Sequence, residues 1–260
     1  MAWYYDDGES REDANRAVQR ELTARRKSGE NLDPVLPKSS RDLSTTFWGQ
    51  AWNRNLMAYS DYESRMPRGR SYFRSGKVLG MKVEPGLITS VVAGSRVYDV
   101  KIQIARLAEK DWKHLQKRCL GKITDVMDLL AGDLSDDVMR EVTDLNTGLF
   151  PGSDQIKLSC SCPDWAGMCK HCAATLYAVG SLLDDNPRHL FTLRNVDPQV
   201  LIGTSEQLID ALIDTTQPSS DRHAALEGMD LGDIFGIDVD TTAPAKPPAK
   251  KAPRKKRPSP

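Results

Sequence analysis

Apolar positions change their spacing several times along the chain, and each change marks an element. Ala14, Val18 and Leu22 fall four apart, which predicts a helix over residues 11–27 carrying a narrow apolar stripe. So thin a stripe could dock on the protein's own body or on a partner, but in so charged a segment it reads first as a marginal, solvated helix. Residues 32–37, Leu-Asp-Pro-Val-Leu-Pro, read as an extended connector, because proline disfavours the helical conformation in the residue before it. Folded structure is expected from Thr45 onward. Phe47, Trp48, Trp52, Leu56 and Tyr59 recur at helical spacing, the pattern of a core helix.

Three runs rich in Val and Ile follow, residues 78–84, 87–93 and 96–104. Pro85-Gly86 and Gly94-Ser95 separate them, which predicts a small antiparallel meander. Residues 111–118, 123–130 and 136–144 predict helices broken by Gly121 and Gly132, with Trp112, Leu115, Ile123, Val126, Leu129 and Leu130 in the core. After breaks at Asn146, Gly148, Pro151 and Gly152, residues 155–160 read as a strand. A longer helix carries Ala173, Leu176, Tyr177, Gly180 and Leu183 at threes and fours and is stopped by Asp184, Asp185, Asn186 and Pro187. Short segments at 187–193 and 198–201 are expected to cover it, and residues 205–213 predict a last helix capped by Ser205.

Chemistry concentrates between that strand and that helix. Of five cysteines, four lie between positions 160 and 172, in the order Cys160, Cys162, Cys169 and Cys172, with His171 among them. Residues two apart in an extended segment share a face, so Cys160 and Cys162 can hold one ion. Pro163, Asp164 and Gly167 let the chain double back. Cys169 and His171 then open the helix, whose positive dipole end favours an anionic cluster. Three thiolates and an imidazole fill a tetrahedral zinc shell, and a shell with no open position is structural rather than catalytic. Cys172, three residues after Cys169, is the rival to His171 as fourth ligand. The simpler reading is a group of buried thiols acting as small hydrophobes, and Cys119, alone in a helical region, is read that way. His114 has too few neighbours of ligand type to make a site.

The pattern CxC, six intervening residues, then CxH running into an apolar helix resembles the SWIM zinc finger. The words Thr46-Phe47-Trp48-Gly49-Gln50-Ala51-Trp52, Pro67-Arg68-Gly69-Arg70-Ser71-Tyr72 and Cys160-Ser161-Cys162-Pro163-Asp164-Trp165 resemble the bacterial SWIM zinc finger proteins, over about residues 30 to 203. The resemblance implies Zn2+ held by Cys160, Cys162, Cys169 and His171, a module that binds DNA or protein, and no catalysis. It also implies a Snf2-type helicase as a partner.

Composition adds the remaining limits. The 260 residues carry 36 basic and 36 acidic side chains, but the balance hides an uneven distribution. Nine acids between positions 206 and 240 face Arg222 alone, whereas Lys246, Lys250, Lys251, Arg254, Lys255, Lys256 and Arg257 follow with no acid. Residues 229–237 mix acids with large apolar side chains and read either as a poorly packed end or as a short docking motif that orders on binding. The Pro- and Ala-rich tail cannot bury a core and is suited to neutralising phosphates without reading sequence. Within the folded part, residues 65–77 interleave Arg65, Arg68, Arg70, Arg74 and Lys77 with Tyr72 and Phe73. Arginine forks match phosphate and aromatic faces stack bases, so Arg65, Arg68, Arg70, Tyr72, Arg74 and Lys77 are candidate nucleic-acid contacts beside Lys250, Lys251, Arg254, Lys255, Lys256 and Arg257 of the tail. With Pro67, Gly69 and Ser71 among them, residues 65–77 read equally well as a solvated basic turn whose Tyr72 and Phe73 pack inward.

The expected fold is α+β: a small antiparallel β-meander plus helices, with a strand-turn-helix zinc knuckle and disordered termini. Its expected divisions are 1–44, a polar, partly helical extension; 45–145, an α+β domain; 146–214, the zinc finger and C-terminal helices; 215–242, an acidic linker; and 243–260, the basic tail. No apolar run approaches the roughly 20 residues that span a bilayer and no signal pattern opens the chain, so the expected location is the cytoplasm, including the nucleoid. The expected function is zinc-dependent binding of nucleic acid, with DNA favoured, in a DNA-handling assembly, without enzymatic activity or a small-molecule substrate. The alternative is an adaptor that docks a helicase and leaves nucleic acid to it.

Overall fold

The architecture is built on α7, Lys170–Asp185, a helix with apolar residues all round and therefore a core element. A computed structural model describes residues 10–39, 41–57, 65–123, 125–165 and 167–202. The fold is α+β, with eight helices and one four-stranded antiparallel sheet among those residues. Strands β1 (Val78–Glu84), β2 (Leu87–Ala93) and β3 (Val97–Ile104) form the predicted meander, and β4 (Ile156–Cys160) pairs with β3. Between β3 and β4 the chain runs through α4 (Glu109–Cys119), α5 (Val126–Ala131) and α6 (Asp136–Val142). Cys119 is fully buried, and burial pushes its thiol up to about 11.

Alternation along the strands decides what faces α7. Tyr98, Val100, Ile102 and Ile104 of β3 are buried while Asp99, Lys101 and Gln103 are exposed. Ser90 of β2, on the buried side, meets Thr175 of α7 through a 2.7 Å hydroxyl contact. Helices α2 (Phe47–Met57) and α3 (Met66–Arg74) pack on α7. Trp48 and Trp52 are fully buried, as their spacing predicted, and each indole N–H finds an acceptor: Leu129 carbonyl at 2.9 Å and Leu176 carbonyl at 2.8 Å. Asp184, near the end of α7, accepts from the backbone N–H of Thr45 at 2.6 Å and of Thr46 at 3.0 Å, satisfying donors at the start of α2. The helices α8 (Arg188–Arg194) and a 3-10 turn at Pro198–Leu201 cover the core with Leu190, Phe191, Leu193 and Leu201.

Two expectations change. Helix α1, Arg11–Lys27, forms where the stripe predicted it but is docked rather than solvated: Val18 and Leu22 are buried against Leu32, Leu79, Val91 and Val97. The stripe suffices because the outer face of the sheet is itself apolar at Leu79, Val91 and Val97. Arg25 fixes the arrangement with a two-pronged pair to Asp99, at 2.6 and 3.0 Å. The connector likewise belongs to the fold. Leu32 is buried and Pro34 bridges to Leu79 at the edge of β1, so α1 and the connector are already part of the packed fold ahead of Thr45. The predicted helix at 205–213, the 229–237 motif and the basic tail lie outside the described residues.

Candidate metal centre

Strand β4 delivers the first two cysteines. Cys160 pairs with Val100, and the ladder continues one residue further, since Ser161 N–H donates to the Asp99 carbonyl at 3.0 Å and Asp99 N–H donates to Ser161 Oγ at 3.0 Å. The alternation of an extended chain then puts Cys160 and Cys162 on one side, toward the core. The chain turns through Pro163 and Asp164, where Arg65 holds the Asp164 carboxylate at 3.2 Å. Met168 is buried and re-anchors the chain before α7. Cys169 is the N-cap of that helix, in extended conformation, and its Sγ accepts the Cys172 N–H at 3.4 Å.

The ligand atoms of Cys160, Cys162, Cys169 and His171 all lie within 4.8 Å of one another. His171 Nδ1 is 3.7 Å from Cys160 Sγ and 3.8 Å from Cys169 Sγ. A tetrahedron with metal–sulfur bonds of about 2.3 Å and a metal–nitrogen bond of about 2.0 Å has sulfur-to-nitrogen edges of about 3.5 Å. The donor set and its spacing therefore fit one tetrahedral metal ion. The imidazole is only 3% exposed and is held between two aromatic rings: Tyr98 stacks on it at 4.1 Å and 23°, and Tyr72 meets it edge-on at 5.4 Å and 69°. Its Nε2 is buried without a hydrogen-bond partner among the described residues, so the ring is oriented by packing and its polar contacts gather at Nδ1.

Cys172 lies beside the group of four rather than in it. Its Sγ is 3.6 Å from Cys169 Sγ and 3.8 Å from the Ser159 carbonyl, and it is buried in the core. The thiols share protons unequally. Hydrogen bonds from Cys160 and Cys172 hold the Cys169 thiol far below its ordinary value. The same contacts act in reverse on the donors: Cys160 is pushed up to about 12, chiefly by its bond to Cys169, and Cys172 is pushed up by its bonds to Cys160 and Cys169 and by burial. Burial raises Cys162 as well. Cys169 sits at the positive end of α7, where the helix dipole favours a thiolate.

The basic stretch 65–77 is a helix for most of its length, not a turn. Pro67 is tolerated in the first turn, where its missing N–H costs nothing, and Gly69 permits close approach to α7. Helical spacing splits the candidate contacts between two flanks. Arg65, Arg68 and Tyr72 run along the flank nearer the knuckle, followed by Lys77. Arg70 and Arg74 face away, with the Arg70 guanidinium over the Tyr177 ring at 5.6 Å and Arg74 donating to the Arg41 carbonyl at 2.6 Å. Tyr72 is half-buried, with Lys77 Nζ 4.6 Å and Lys170 Nζ 5.0 Å from its ring centroid. Phe73 is in the core. The tail candidates, Lys250 to Arg257, fall outside the described residues. Sequence reasoning did not connect Tyr98 to the site. Its signal was there, because Tyr98 shares the buried alternation of Val100, the residue opposite Cys160.

Comparison with known proteins agrees with this geometry. The SWIM zinc finger family profile matches residues 141–180, which contain all four clustered residues. The chain is 30% identical over 223 residues to a Mycobacterium tuberculosis (strain ATCC 25618 / H37Rv) protein called "Uncharacterized protein Rv2102", covering 82% of this chain and 78% of that one. No solved structure matches. A knuckle of this spacing, set between β4 and α7 in a chain related along most of its length to a mycobacterial protein, places the chain in the family of bacterial SWIM zinc finger proteins.

Proposed function

We propose that the chain is a nucleic-acid-binding module, with DNA favoured, whose fold is held by Zn2+ bound to Cys160, Cys162, Cys169 and His171. The closed four-ligand shell gives the metal a structural rather than a catalytic role, and the module works in a DNA-handling assembly without enzymatic activity of its own. The observation that carries the reading is the cationic collar on the knuckle. Lys77 and Lys170 both approach Tyr72, whose edge meets the ring of His171. Neither the α3 sequence, Met-Pro-Arg-Gly-Arg-Ser-Tyr-Phe-Arg, nor the first turn of α7 contains an acid. Anything that organises the metal cluster therefore also organises the collar, and clustered cations facing solvent attract phosphates. The basic tail, Lys250 to Arg257, adds affinity without sequence preference. The second reading is an adaptor whose knuckle docks a Snf2-type helicase; it is favoured by the exposed apolar residue at the knuckle tip, Trp165.

The test is a salt-titrated binding assay on single-stranded and duplex DNA, with zinc content measured. It compares the intact chain with a version ending at Asp240. Binding by the shorter version, weakened by Arg68→Ala, supports the module. Binding lost with the tail, or absent in both versions, favours the adaptor.

A further inference from the structure

The side chain of Trp165 is 91% exposed, at the tip of the metal loop between Cys162 and Cys169. Tryptophan is rarely left so open, and the other indoles of the described residues are placed differently: Trp48 and Trp52 are fully buried and Trp112 is half-buried. Among the described residues the Trp165 ring has neither an aromatic neighbour nor a hydrogen bond. Asp164, the residue before it, is held by Arg65 at 3.2 Å, and Met168, three residues after it, is buried.

We infer that Trp165 is a stacking platform for an unpaired base, and that the knuckle face takes single-stranded nucleic acid. The inference rests on the nucleic-acid reading above and deepens it. Arg65 ties the loop to the same flank of α3 that carries the exposed Arg68 and leads to Tyr72, where Lys77 and Lys170 converge. A strand laid along this flank meets cations at Arg68, Lys77 and Lys170 for its phosphates and a free ring face for a base. In a duplex both faces of each base are already occupied by stacking, so the indole has nothing to add there. A protein partner would also accept an exposed indole, but it would not require the cations of Arg68, Lys77 and Lys170 beside it.

The experiment uses the full zinc-loaded chain and three labelled probes: a short oligothymidylate, an abasic deoxyribose-phosphate strand of equal length, and a duplex. Stacking on an aromatic side chain contributes about 5- to 150-fold per base, so the chain should prefer the base-bearing strand over the abasic one by that order. Trp165→Ala should bring the ratio near one with zinc content unchanged, and Trp165→Phe should restore most of it. Lys77→Gln combined with Lys170→Gln should weaken both strands alike and lower the salt slope by about 0.7 for each charge removed. A wild-type ratio of one, a ratio kept by Trp165→Ala, or an equal loss on both strands overturns the stacking role while leaving nucleic-acid binding in place. Failure of the zinc-loaded chain to bind any of the three probes removes the nucleic-acid reading and the inference with it.

Discussion

The phenol ring of Tyr98 lies on the imidazole of His171, centroids 4.1 Å apart and planes 23° from parallel. With Nε2 lacking a polar partner among the described residues, this stack and the edge of Tyr72 set the direction of Nδ1. Groups that orient a metal ligand typically govern about 10- to 100-fold in affinity. Tyr98→Ala should weaken zinc binding by that order, and Tyr98→Phe, which keeps the ring, should not. Competition with a chromophoric chelator measures both.

Stoichiometry distinguishes the fourth ligand. Cys162→Ser and His171→Ala should each abolish binding of one zinc per chain, whereas Cys172→Ser should retain it, since Cys172 lies outside the mutually close group. Elemental analysis of the purified variants is the measurement. Full zinc in the His171 variant with loss in the Cys172 variant would transfer the role to the thiol.

Gly69 sits where α3 crosses α7, and a methyl group there would overlap the Cβ and backbone of Ala173. Overpacking of a tight core costs about 1–3 kcal/mol. Gly69→Ala should therefore lower the midpoint of thermal unfolding by roughly 2–12 °C for a unit of this size. Because Arg68 and Tyr72 ride on the same helix, the variant should also weaken binding of nucleic acid more than its zinc content falls.

The pair between Arg25 and Asp99 gives a pH signature. Hydrogen bonds from the guanidinium hold the Asp99 carboxyl below its ordinary range. Its folded value is then lower than its unfolded one, so its contribution is present above the unfolded value, about 3.9, and is lost as pH falls through the folded value. The Asp99 side chain is 60% exposed, which limits the pair to under about 1 kcal/mol, too little to unfold the protein. The expected readout is local: amide protection in α1, taken relative to the intrinsic exchange rate at each pH, should fall below about pH 4, and Asp99→Asn should show the lower protection already at neutral pH.

Much of this was legible in the residues. Period-two alternation marked the strands, the Trp48 and Trp52 spacing marked a core helix, and CxC followed by CxH marked the cluster, because each signal is local and repeated. The missed features depend on surfaces that a one-dimensional reading cannot pair. The stripe of Val18 and Leu22 looked too thin until Leu79, Val91 and Val97 supplied its other half. Pro67 and Gly69 read as turn residues because their helical uses, a first-turn proline and a close crossing, need a partner helix. Tyr98 is 73 residues from His171, and only the pairing of β4 with β3 brings the two together.

That late pairing has a consequence for handling the protein. β4 is five residues long and joins the sheet only after the chain has passed through α4, α5 and α6, so its closure spans a long loop. On one side it is bonded to β3, and its last residue belongs to the metal cluster. A chain stripped of its ion loses the clip at that point, and β3, with buried positions at every second residue, becomes an open sheet edge. Such edges recruit other chains. Chelation should accordingly produce concentration-dependent aggregation, measured by light scattering, before general unfolding.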